Sequence, residues 1–62
     1  MLKIGDKVTH DLYGDGEVVY VSVLVPFVEI VLDKGFTDSE GRERNMVIVP
    51  RDEIKINDEN NH

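Results

Sequence analysis

Two glycines one residue apart, Gly14 and Gly16, separate a short alternating stretch, Lys7-Val8-Thr9-His10, from a run dense in valine at residues 17–25. That order constrains the chain more than any other feature. Glycine at such offsets supplies a positive φ or a close backbone approach. The run that follows (Val18, Val19, Tyr20, Val21, Val23, Leu24, Val25) favours an extended, pleated backbone. Residues 5–18 therefore predict strand, tight glycine turn, strand.

A chain of 62 residues has room for one domain. At this size only about 60% of the unfolded surface is buried on folding, so stability is marginal. There is no cysteine, which removes disulfides and cysteine zinc sites as staples. The core has to come from Val, Ile, Leu, Phe and Tyr. No signal peptide is visible at the start. The longest nearly uncharged run, residues 18–28, falls short of the roughly 20 residues that span a bilayer. A soluble, cytoplasmic protein is expected.

Thirteen acidic residues against seven basic ones give a net charge of −6. Negative charge keeps a small domain soluble and repels a phosphate backbone. Nucleic acid is not the expected main partner.

Further along, Pro26 ends the valine run, since proline cannot donate to a ladder. Residues 27–33 form a cleaner strand with Val28, Ile30 and Leu32 on one face and Phe27, Glu29 and Val31 on the other. Between the two runs lies a hairpin with an apolar tip, Leu24-Val25-Pro26. Imperfect alternation in residues 17–25 requires either cover on both faces or a bulge that changes register. Residues 34–44 are polar, with two glycines and charges of both signs, and read as a loop or hairpin arm. A fourth strand follows over 45–49, a single helical or 3-10 turn over 50–53, and a fifth strand over 54–56. Residues 57–62 form a polar tail, expected to be disordered. The prediction is an all-β fold: a small five-stranded antiparallel barrel over residues 1–56, with one 3-10 turn before the last strand.

This order of elements resembles the Tudor-like (SH3-like) barrel at the C-terminus of UvrD/PcrA-type DNA helicases. The residues that carry the likeness are Gly5, Asp6, Val8, His10, Tyr13, Gly14, Gly16 and Val18, followed more loosely by Val28, Ile30, Leu32-Asp33, Gly35 and Ile54. A related pattern opens the polymerase-interacting domain of CarD-type transcription regulators. The resemblance implies a non-catalytic attachment module that docks on RNA polymerase or on a DNA-repair or transcription protein. The chain departs from the pattern in lacking a helicase body, in its negative charge, and in the length of segment 34–44.

Catalytic and metal chemistry find little support. His10, Asp11, Asp15 and Glu17 cluster near the turn, but without the spacing of a calcium loop. Asp11 and Asp15 suit turn-shaping hydrogen bonds instead. Gly14-Asp15-Gly16 is followed by a strand, whereas a phosphate loop needs a helix N-terminus behind it. No cofactor and no metal are expected. His10 is expected to pack over the turn against Tyr13. The candidate partner surface therefore comprises His10, Tyr13, Gly14 and Gly16 with the tip residues Val25, Pro26 and Phe27. Two placements of the tip are open: exposed as a docking patch, or wrapped into the core. Free strand edges offer a second route to a partner. The alternative, nucleic-acid binding, would use Lys34, Arg42 and Arg44 on the polar arm.

Overall fold

The computed structural model describes residues 2–57. Five strands and one short 3-10 turn follow in order: β1 (Lys7–His10), β2 (Gly14–Val21), β3 (Phe27–Thr37), β4 (Glu43–Pro50), the turn Arg51–Glu53, and β5 (Ile54–Ile56). All neighbouring strands are antiparallel and form one sheet in the order β4-β3-β2-β1-β5. The all-β expectation and the 3-10 turn before the last strand hold. Among the described residues the sheet is open, with β4 and β5 as its two edges and no ladder between them, so the expected closed barrel is not seen. Among the described residues no helix is long and apolar enough to cross a membrane.

Strand β2 starts earlier and ends earlier than its composition suggests. Gly14, Asp15 and Gly16 are already paired with His10, Thr9 and Val8, so the connection shrinks to residues 11–13. At the other end the valine run stops pairing at Val21. The broken alternation is a bulge: Val18 lies opposite Ile30 and Tyr20 opposite Glu29, leaving Val19 as the extra residue. Residues 34–44 are not a loop but a hairpin arm, with Phe36 opposite Arg44 and Thr37 opposite Glu43. Asn57, assigned from the sequence to the polar tail, donates its N–H to the Lys7 carbonyl at 2.7 Å. The remainder of that tail, residues 58–62, lies outside the described residues.

Val8, Val18, Val28, Ile30, Leu32 and Val49 form the buried core, and Val18 is 0% exposed. No second layer covers them among the described residues, so a flat sheet could not bury them. The sheet has to curl until its own strands enclose one face. Leu2, Tyr13, Val21, Phe36, Val47 and Ile54 close the sides of this core.

Two glycines permit the curl for different reasons. Gly14 has φ +87°, a left-handed conformation in which any side chain is strained. Gly16 has an ordinary φ, but a Cβ there would stand 2.5 Å from Ile30 Cγ2 and 2.7 Å from the Val31 carbonyl oxygen. We expect Gly14→Ala to cost about 1 kcal/mol or more through strain. Gly16→Ala should cost more, about 1–3 kcal/mol from overpacking. Urea melts of both variants measure this. An unchanged midpoint for Gly16→Ala would contradict the close approach.

Candidate functional site

The β1–β2 connection is built around the His10 ring. His10 is 7% exposed, and its Nδ1 accepts the N–H groups of Leu12 at 3.0 Å and Tyr13 at 3.4 Å. With Nδ1 occupied as an acceptor, the ring proton sits on Nε2, which donates to Glu53 Oε1 at 2.9 Å. The ring therefore ties β1 to the 3-10 turn and so sets the entry of β5. Tyr13 packs beside it with ring centroids 5.0 Å apart, and Phe36 continues the row at 5.4 Å from Tyr13. The expected packing of His10 on Tyr13 is present. Both rings are inward parts of the fold rather than a projecting surface, Tyr13 being half-buried. Gly16 is buried beneath Ile30, and of the four turn-side candidates only Gly14 is exposed.

The tip after β2 is the opposite case. Val23 and Leu24 are 93% and 90% exposed, and Val25, Pro26 and Phe27 are exposed with them. Of the two placements open to it, the tip takes the outer one. Its shape is held locally: Ser22 Oγ accepts the N–H groups of Leu24 at 3.1 Å and Val25 at 3.3 Å. From the other side the Arg51 N–H donates to the Pro26 carbonyl at 2.7 Å. An apolar segment fixed from both sides and left in water is an uncommon use of large side chains in a small domain.

A second exposed apolar surface adjoins the tip, on the outer face of the sheet. Because Val28, Ile30 and Leu32 point inward, the cross-strand rows Tyr20–Glu29–Ile48 and Glu17–Val31–Met46 point outward. Tyr20, Met46 and Ile48 are all at least half exposed. The sequence singled out none of these three as surface residues. The available signal was parity: in residues 45–49 one alternate set had to face out, and register with β3 decides which.

The basic residues of the arm do not gather. Arg44 Nε donates to Asp38 Oδ2 at 2.8 Å, and Arg42 lies 3.6 Å from Glu40. Asp38 also accepts the N–H groups of Glu40 and Arg42 on Oδ1 at 2.9 Å and 3.0 Å. The backbone N–H of Arg42 and the Arg44 guanidinium hold its carboxyl below the ordinary aspartate value of 3.8. Lys34 lies beside Asp33, at a cleft shared with Tyr13, Gly14 and Asp15. Among the described residues no three His, Cys, Asp or Glu groups converge as a metal site.

Two measurements test these assignments. Truncating His10→Ala removes an acceptor for two amides and a buried ring, and should destabilise by about 2–4 kcal/mol. Glu53→Ala should cost about 1 kcal/mol, because the Nε2 proton can then bond to water. Equal losses in thermal melts would contradict the division of roles. For Asp38, a lowered carboxyl value in the folded state contributes stability that is fully present above 3.8 and is lost as pH falls through the lowered value. On acidification below that point the Glu40 and Arg42 amide resonances should move before those of Val18 and Ile30. Asp38→Asn should abolish that early step. Simultaneous movement of arm and core would contradict it.

No protein family, curated protein or solved structure matches this chain.

Proposed function

We propose that this chain is a non-catalytic protein-interaction module of the SH3-like (Tudor-like) barrel class, docking through its apolar tip and the outer face beside it. The observation that carries this reading is the exposure of Val23, Leu24, Val25 and Phe27 on a tip braced by Ser22 and Arg51. Ordering the tip before binding lowers the entropy cost of association. The barrel class is supported by the strand order, by the 3-10 turn that leads from β4 into β5, and by a core enclosed by one curled sheet. The partner class, RNA polymerase or another protein of transcription or DNA repair, follows from the resemblance of residues 5–18 to helicase-associated barrels.

Nucleic-acid binding through Lys34, Arg42 and Arg44 has weaker support. Two of its three cations already sit on carboxylates, and the chain as a whole repels phosphate.

The test is binding to immobilised bacterial RNA polymerase across a salt series. Saturable binding that survives moderate salt is expected. Leu24→Asp and Phe27→Ala should weaken it by about tenfold or more, with melting behaviour unchanged for Leu24→Asp, whose side chain is 90% exposed. Absence of binding overturns the polymerase assignment. Binding that ignores both substitutions overturns the tip as the docking surface.

A further inference from the structure

Among the described residues strand β4 pairs with β3 on one side and with no strand on the other. The phase of its ladder follows from one bond, Arg51 N–H to the Pro26 carbonyl at 2.7 Å. In an antiparallel pair successive residues alternate between hydrogen-bonded and non-hydrogen-bonded positions. Val49 and Val47 therefore direct their backbone groups at β3, opposite Val28 and Ile30, while Ile48 and Met46 direct theirs at the open edge. Pro50 falls at an edge-facing position, where its missing N–H breaks no ladder bond. The same two residues that offer free backbone groups also carry exposed side chains, Ile48 at 63% and Met46 at 50%.

Edge strands are ordinarily blunted by lysine, proline, bulges or short length. Here residues 45–49 contain no charge, and the register is unbroken from Met46 to Pro50. The surroundings are acidic on balance, with Arg51 just past the strand's end and Arg44 within it already paired to Asp38. Glu29 lies in the row beside Ile48 and has no ion-pair partner among the described residues. Glu43 opens the strand, and Asp52 and Glu53 follow its end. A second copy of the chain would bring the same acids and a charge of −6 to the same edge. A cationic segment meets the opposite condition.

Resting on the docking role proposed above, we infer that the open edge of β4 takes an extended, lysine- or arginine-bearing segment of a partner protein as a sixth strand. Backbone pairing is made with Met46 and Ile48. Basic side chains on the outer face of the segment lay their methylene stems over Met46 and Ile48 and reach Glu29, while the alternate apolar residues fall on the inner side with Val47 and Val49.

The probe is a short blocked peptide alternating lysine and valine, with its glutamate–valine counterpart as control. Each is titrated into isotope-labelled protein at about 0.15 M salt and followed by amide resonances. Saturable shifts centred on Met46 and Ile48 are expected with the lysine peptide alone. Ile48→Pro, which removes an edge-facing N–H and no bond to β3, should weaken binding about tenfold. Met46→Lys should do the same by repulsion, and reports on the edge even if the proline variant fails to fold. Glu29→Gln should weaken binding and flatten its salt dependence. Equal binding of both peptides, shifts centred elsewhere, or full binding to Met46→Lys overturns the inference. So does a concentration-dependent dimer that Met46→Lys abolishes, which would make the occupant a second copy. RNA polymerase binding lost in the tip variants but intact in the edge variants leaves the docking role standing and removes the edge. Peptide binding at the edge without polymerase binding does the reverse.

Discussion

The Ile30 side chain passes over Gly16 where any Cβ would stand, and the rest of the structure depends on that approach. A single sheet of five strands has no partner layer to bury its apolar face against. It can make a core only by bending until β1, β2, β3 and β4 all present side chains to one interior. Glycine at the β2 position facing Ile30 lets the strands come close enough for this. The Val19 bulge then adds twist and re-aims the end of β2. Six aliphatic side chains are buried in this way, each worth about 1.5–3 kcal/mol of transfer free energy, in a chain that has no disulfide.

Bending one open sheet over its own core leaves two kinds of surface unprotected. One is the tip between β2 and β3, where the chain reverses at the rim and Val23 and Leu24 have no interior to enter. The other is the outer face and free edge of β4, since an open sheet ends in strands with one neighbour. Both lie next to Phe27 and Pro50, which stand opposite each other at the end of the β3–β4 ladder. The same geometry that makes the core therefore concentrates exposed apolar groups at one corner. That coincidence is what the proposed docking role rests on.

Polar groups do different work. His10, buried and bonded at both ring nitrogens, reinforces what its pairing with Ile54 and Gly14 brings together: β1, the Leu12-Tyr13 turn and Glu53. Asp38 does the same within the arm, gathering two backbone N–H groups and Arg44. The bonds of this imidazole and of Asp38 are directed at the backbone and at neighbouring charged side chains. They organise turns.

Local physics was legible in the sequence. The alternation of Val28, Ile30 and Leu32, the break at Pro26, the proline-led turn before Ile54 and the glycine at φ +87° all follow from the preferences of a few adjacent residues. Strand β1 and strand β5 fall where that pattern puts them. What the sequence could not determine was relational. Whether Met46 and Ile48 or Val47 and Val49 face the core depends on register with β3, because a period of two allows both. The bond from His10 to Glu53 spans 43 positions and exists only once β5 has paired with β1. The tip is exposed because the rim of that curl has no cover to offer it, and its residues are as apolar as those inside. Composition set which segments would be strands; only the folded sheet, by dividing inside from outside, decided which of their side chains were left for a partner.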